Sequence, residues 1–257
     1  MKFIDMHNHI IYGIDDGAKT KQDTIDMLKM AIADGIEKVI FTPHFKEEVF
    51  ENNRESIEVM KTEIDQLIKD NDLSIDAYYG SEIYLSYSSL DQVNEGNFKT
   101  LNDSKYVLVE THRVSLYQKV NISDILYNFK IDKYVPVVAH PERYQMVHED
   151  PNIVYEWVKD GSLIQVNASS ILNPKKKSHK LARLLLKHRL VHFIGSDAHD
   201  TVYRPPLLSD AYEFVKKHYG ASYADTLFYD NPLKVINNEP IDTKGYKEIK
   251  KKKFIII

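Results

Sequence analysis

The sequence predicts a single-domain α/β protein whose parallel strands, mostly separated by helices, close into a seven-stranded (β/α) barrel. Three observations carry this expectation. Short apolar runs alternate with longer segments of helical period along the 257 residues. The runs are too apolar to keep a solvated face, as in parallel sheets covered by helices on both sides. No Gly-x-Gly-x-x-Gly or Walker-type loop interrupts them, so a nucleotide-cradling open sheet loses support.

The elements follow in order. Phe3–Met6 reads as the first strand. Thr20 is placed to cap a helix, with Asp23 three residues on, Ile25, Leu28 and Ile32 at helical spacing, and Gly35 as the stop. Glu37–Phe41 is the second strand. A helix over Ser56–Lys69 lays Ile57, Met60, Ile64 and Leu67 on one face. Ile75–Tyr79 is the third strand, and the loop-rich stretch Ser86–Asp103 has room for a short helix. Tyr106–Val109 is the fourth strand, followed by a helix over Ile122–Lys130. Val135–Ala139 is the fifth, with Pro136 at a position expected of an edge. A helix over Ile153–Lys159 ends at Gly161, before the sixth strand Leu163–Val166. Lys177–His188 is helical, Val191–Ile194 is the seventh strand, and Leu207–His218 and Tyr223–Phe228 are two further helices. The domain is expected to span residues 1–241. Residues 242–257, with the basic run Lys250–Lys253, read as a solvated Lys-rich tail.

Composition narrows the function. The net charge of -4 argues against attraction to nucleic acid or an anionic membrane. The absence of cysteine removes disulfide and thiolate chemistry and suits a reducing cytoplasm. No apolar run approaches the ~20 residues that span a bilayer, and no signal-peptide pattern precedes the first strand.

In barrels of this kind the active site lies at the carboxyl ends of the strands. Those ends carry His7 and His9, with Asp15 and Asp16 beyond; Thr42-Pro43-His44; Gly80-Ser81-Glu82; Glu110; His140, then Glu142 and Arg143; Gln165 and Asn167; and Ser196-Asp197-Ala198-His199, with Arg204 shortly after. Singly, each is most simply a turn or cap residue. Together, His7, His9, Asp16, His44, Glu82, Glu110, His140, Asp197 and His199 fit more than one metal ion. Their mixture of imidazole and carboxylate suits Mn²⁺, Fe²⁺ or Zn²⁺ rather than a structural zinc. Four carboxylates against three divalent ions leave a charge of about +2, or about +1 with a bound hydroxide, which attracts an anion. Arg143 and Arg204 beside such a centre favour phosphate, which guanidinium forks match in a bidentate way. Of the other histidines, His148, His179, His188 and His218 are expected at the surface and His192 in the core; His112 stays open.

His7-x-His9, Thr42-Pro43-His44, Gly80-Ser81-Glu82-Ile83-Tyr84, Ala139-His140-Pro141-Glu142-Arg143 and Gly195-Ser196-Asp197-Ala198-His199 resemble the PHP (polymerase and histidinol phosphatase) family. Within it the chain is similar to the manganese-dependent protein-tyrosine phosphatases of Gram-positive capsule and exopolysaccharide operons, through Asp15-Asp16-Gly17, Leu101–Tyr106 and Arg204-Pro205-Pro206. The resemblance runs from about Lys2 to Ile241. It implies a distorted PHP-type, TIM-like barrel with a three-metal site. His7, His9, Glu82 and Asp197 would hold the first ion. Glu82 would bridge to the second with Glu110 and His140, and Asp16, His44 and His199 would hold the third. The oxygen-rich set leans towards Mn²⁺. The implied reaction is phosphotyrosine hydrolysis by metal-activated water, with Arg143 and Arg204 on the phosphoryl group and His199 or a metal-bound water protonating the phenolate. The implied partner is the tyrosine-rich tail of a bacterial tyrosine autokinase. Histidinol-phosphate phosphatase, a phosphodiesterase and a non-catalytic partner of the kinase are the competing readings.

Overall fold

The structure, a computed structural model, describes residues 2–114 and 121–250. Among the described residues, ten strands fall into two hydrogen-bonded sheets. The smaller has the order β1-β2-β5 (Phe3–Asp5, Ile36–Phe41, Asp76–Tyr79), all parallel. The larger has the order β10-β9-β8-β7-β6-β3-β4: Phe193–Gly195, Leu163–Asn167, Val135–Ala139, Tyr106–Glu110, Glu82–Tyr84, His44–Lys46 and Phe50–Glu51. Among the described residues only the β3–β4 pair is antiparallel. Neither sheet closes on itself, so the expected single seven-stranded ladder is replaced by two.

Two interruptions explain the division. The chain of β2 continues into β3 through Thr42-Pro43, and Pro43 has no amide hydrogen for a ladder. The chain of β5 continues into β6 through Gly80-Ser81. A Cβ on Gly80 would stand 2.9 Å from Leu101 Cδ2 and 3.1 Å from its Cα, so this turn needs glycine for close approach. The amides of Gly80 and Glu82 donate to the carbonyls of Phe41 and Pro43 across the two breaks. At the other side the sheets meet in an isolated parallel bridge, Asn8 to Ala198, flanked by bonds from Asp197 N to His7 O and His9 N to Ala198 O.

Strand alternation sorts the core. Ile4, Met6, Ile40, Tyr106, Leu108, Val137, Ala139, Leu163 and Phe193, from both sheets, pack in one inner cluster. Their neighbours Phe3, Val39, Phe41, Val107, Val109, Val138, Ile164, Val166 and Ile194 face the surrounding helices. Tyr106, Leu108 and Glu110 share a face, as do Leu163, Gln165 and Asn167. The inner face therefore turns from apolar to polar at the carboxyl ends.

The helices α1 (Lys21–Asp34), α2 (Arg54–Asp70), α3 (Ser89–Asn94), α4 (Ile122–Ile131), α5 (Gln145–Glu149), α6 (Asn152–Lys159), α7 (Ala168–Leu172), α8 (Lys177–Lys187), α9 (Ser209–Tyr219), α10 (Ala221–Asp225) and α11 (Asn231–Ile236) fill the crossovers. Thr20 and Asp23 form the expected capping box of α1, and Gly35 ends it. The buried face is Thr24, Met27, Leu28 and Ala31 rather than Ile25, Leu28 and Ile32. The turn of the face puts Thr24 inside, where its hydroxyl donates to Ile10 O at 2.6 Å. Pro136 is not on an edge strand: β8 pairs with β7 and β9, and pairing with β9 begins one residue later, at Val137. The segment after Asp242 is not wholly solvated. Tyr246 packs against Tyr155, Lys247 N donates to His188 O, and Ile249 N donates to Asn152 Oδ1. Residues 251–257, most of the basic run among them, lie outside the described residues.

Candidate metal centre

The carboxyl ends of the strands bring all nine candidate ligands into one constellation. Glu82, at the start of β6 and fully buried, is its middle. Its Oε2 lies 3.1 Å from His7 Nε2, 3.2 Å from His9 Nε2 and 3.1 Å from His44 Nδ1, and its Oε1 lies 3.0 Å from His140 Nε2. Burial alone would raise the Glu82 carboxyl, but the facing imidazoles hold it well below the usual carboxylate range. The same charges act in reverse. Burial would lower His7 and His44, yet Glu82, with Asp197 beside the first and Glu110 beside the second, lifts them to about 9 and about 11.

Among the described residues, three compact groups could each hold one ion: His7, His9 and Glu82; His44, Glu82 and Glu110; and His9, Asp16, His44 and His199. This grouping differs from the set implied by resemblance: the first group lacks Asp197, the second has His44 in place of His140, and the third adds His9. His44 stands with Glu110 at 3.1 Å as well as with Asp16 at 3.5 Å, and so borders two groups. His140 is close to Glu82 but 3.8 Å from Glu110. Asp197 lies 3.6 to 3.7 Å from His7, His9 and His199. It is held by Arg143 Nη1, Arg204 Nη2 and Asn167 Nδ2, each at 2.6 Å. The donor set fits divalent cations. Imidazole nitrogens crowd one buried carboxylate, and Glu82 Oε2 and His199 Nε2 are buried without a hydrogen bond.

Burial and the facing His9 charge push the His199 imidazole down to about 4, against the pull of Asp16 at 3.3 Å.

Sequence reasoning left the orienting groups without roles. Asp15 Oδ2 accepts from His9 Nδ1 at 2.7 Å and from His44 N at 3.1 Å, and its Oδ1 accepts from Gly17 N. Gln165 Oε1 lies 2.9 Å from His7 Nδ1, and Gln165 Nε2 donates to Asn167 Oδ1. These bonds orient the rings so that Nε2 of His7 and of His9 faces Glu82. Gly17 is required beside them, since a Cβ there would stand 2.0 Å from His9 O. The signal available in sequence was the inward register of Gln165 and Asn167 behind Leu163. His192 is buried as expected, its Nδ1 accepting from Ile164 N at 3.1 Å, and His148 and His218 are exposed. His179 and His188 are only partly exposed.

Beside the centre opens a cavity of about 300 Å³. Asp16, His44 and Glu110 form its floor, and Lys46, Phe50 and Tyr84 stand along its wall. Among the described residues no helix is long and apolar enough to cross a membrane.

Imidazoles and carboxylates gathered where parallel strands end, with two arginines at the rim, define a barrel-like α/β protein built round a candidate polynuclear metal centre. Residues 3–237 match the family described as capsular polysaccharide synthesis, CpsB/CapC, and the chain belongs to that family. It is 32% identical to the tyrosine-protein phosphatase CpsB of Streptococcus pneumoniae, over 93% of this chain and 100% of the relative. The crystal structures of YwqE from Bacillus subtilis and CpsB from Streptococcus pneumoniae, described as unique metal-dependent tyrosine phosphatases, include a chain that superposes with a TM-score of 0.90 at 26% identity. That match covers 96% of this chain and 100% of the other. The histidinol phosphate phosphatase of Lactococcus lactis shares the fold, with a TM-score of 0.50 at 18% identity over 77% of this chain and 86% of that one.

Proposed function

We propose that this protein is a metal-dependent protein-tyrosine phosphatase that hydrolyses the phosphomonoester of phosphotyrosine. The observation that carries the reading is the pairing of a Glu82-centred imidazole–carboxylate cluster with two guanidiniums aimed into it. His7, His9, Glu82 and Asp197 border one ion position. Glu82 and Glu110, with His44 and His140, border a second, and Asp16, His44 and His199, with His9, a third. Mn²⁺ suits this oxygen-rich set, with Fe²⁺ or Zn²⁺ as alternatives. Bound divalent ions supply a coordinated water of lowered pKa and polarise the phosphoryl oxygens.

The chain's own groups do the rest. Asp15 and Gln165 keep a proton on Nδ1 of His9 and His7, leaving Nε2 free to ligate. Arg143 and Arg204 grip the phosphoryl oxygens and offset the charge that builds there in the transition state. A phenol leaves with a pKa near 10, so it needs little help from an acid. The chain has no cysteine, so no cysteinyl-phosphate route is open to it.

The substrate we favour is the phosphorylated, tyrosine-rich tail of a tyrosine autokinase of capsular polysaccharide synthesis, in the cytoplasm. An extended tail can present a side chain to an open mouth without unfolding a domain. The catalytic unit spans residues 1–241, with 242–257 as an appendage.

Chelator is expected to abolish hydrolysis of a phosphotyrosine peptide and Mn²⁺ to restore it, while histidinol phosphate is a poor substrate. Arg143→Ala or Arg204→Ala should lower kcat by about 10² to 10³ with bound metal unchanged. Activity that survives complete metal removal would sink the reading.

A further inference from the structure

The cavity beside the centre has features that metal binding does not use. Its floor is made of Asp16, His44 and Glu110, so whatever fills it lies against the candidate ions. Its wall carries the rings of Phe50 and Tyr84 beside Lys46, Thr111, Arg113 and Val114. Phe50 stacks on His44 with the ring centroids 5.8 Å apart and the planes 13° from parallel. Tyr84 stands edge-on to His112 at 5.0 Å, and Lys46 Nζ sits 4.6 Å from the Tyr84 ring centroid. Lys46 and Phe50 are paired across the β3–β4 hairpin, and Tyr84 ends β6, so two elements of one sheet position the wall. At about 300 Å³ the space lies at the small end of ligand sites, the size for one aromatic side chain rather than a folded surface.

We propose that Phe50 and Tyr84 form an aryl slot that receives the ring of the phosphotyrosine side chain while its phosphoryl group lies on the metal centre, and that this slot sets the preference for aryl over alkyl phosphomonoesters. The inference rests on the phosphatase reading above and adds the residues that select the leaving group. Offset or edge contacts between rings favour an aryl group over an alkyl one of similar charge. Lys46 holds the Tyr84 ring in place by a cation–π contact. Both wall residues touch substrate but neither touches phosphorus, so they act on specificity; Phe50 also stacks on His44, so metal content is measured for each variant.

Phenylphosphonate and methylphosphonate separate ring binding from phosphoryl binding, since neither is hydrolysed. Both are measured as competitive inhibitors of phosphotyrosine-peptide hydrolysis by the Mn²⁺-loaded enzyme. The wild-type protein should bind phenylphosphonate more tightly. Phe50→Ala and Tyr84→Leu should each weaken phenylphosphonate about tenfold and methylphosphonate less than twofold, with metal content unchanged. Tyr84→Phe, which keeps the ring, should retain the wild-type preference. Variants that weaken both phosphonates equally, or neither, overturn the slot. A wild-type enzyme that fails to hydrolyse the phosphotyrosine peptide overturns the phosphatase reading instead, so the two failures are distinct.

Discussion

At the scale of single residues, the candidate ligands that converge were legible and the residues that aim them were not. A histidine or carboxylate after an apolar run is visible in a sequence because its chemistry is rare there. Asp15, Gln165 and Asn167 carry the same polarity as ordinary loop and strand-end residues. Their roles exist only through partners distant along the chain, such as His7 with Gln165 or Asn167 with Asp197. The spatial grouping of His44 with Glu110 was hidden for the same reason. Asp15→Ala should lower Mn²⁺ affinity by about 10- to 100-fold, because His9 loses the bond that fixes its tautomer and ring plane. Titration calorimetry of the folded variant, with helix content checked by circular dichroism, measures this. An affinity equal to that of the wild type would leave Asp15 with only a role in the loop.

At the scale of elements, long periodic segments declared themselves and short ones did not. Val135–Ala139 was legible to the residue because it is an apolar run with no solvated face, and four of its five positions are buried. The strands β3, β4 and β6 have only two or three residues and contain His44, Lys46, Glu51 and Glu82, so no alternation is long enough to register. They read as strand ends when they are strands that restart after a break. The face of α1 was misjudged because a threonine that bonds a carbonyl can be buried while an isoleucine stays at the margin. The capping box of the same helix, by contrast, was fully visible in Thr20 and Asp23. Thr20→Ala should cost about 1 kcal/mol, a fall in Tm of about 2 to 4 °C, with turnover unchanged. Thermal unfolding beside a phosphotyrosine assay tests both halves of that statement.

At the scale of the whole molecule, the α/β class and the convergence of strand ends were legible, while the division into two sheets was not, since it depends on the close approach of Gly80 to Leu101. The charge cluster where the two sheets meet makes stability depend on pH. His7 and His44 have folded pKa values of about 9 and about 11, above the unfolded value near 6.5. Their contribution is complete below about pH 6.5 and is lost as pH rises through those folded values. Glu82 and Asp197 are held low, so their contribution is present above about pH 4 and fades as pH falls towards their folded values. The metal-stripped protein should therefore lose Tm between pH 6.5 and 9. The Mn²⁺-loaded protein should gain relative to it over the same range, because ligation needs unprotonated imidazole. Calorimetry in chelator and in Mn²⁺ measures the difference; a Tm in chelator that rises over that range would contradict the assignment. One contact at the rim ties the anion site to the metal site. Asp197 borders the first ion position and accepts from Arg143 Nη1 and Arg204 Nη2 at 2.6 Å each. Each guanidinium has five N–H donors, so the contact aims both arginines and leaves the rest of each fork for an incoming anion. The carboxylate that shapes the cation's shell is thereby also the hinge pin of the anion's grip, and a change at Asp197 is felt by both.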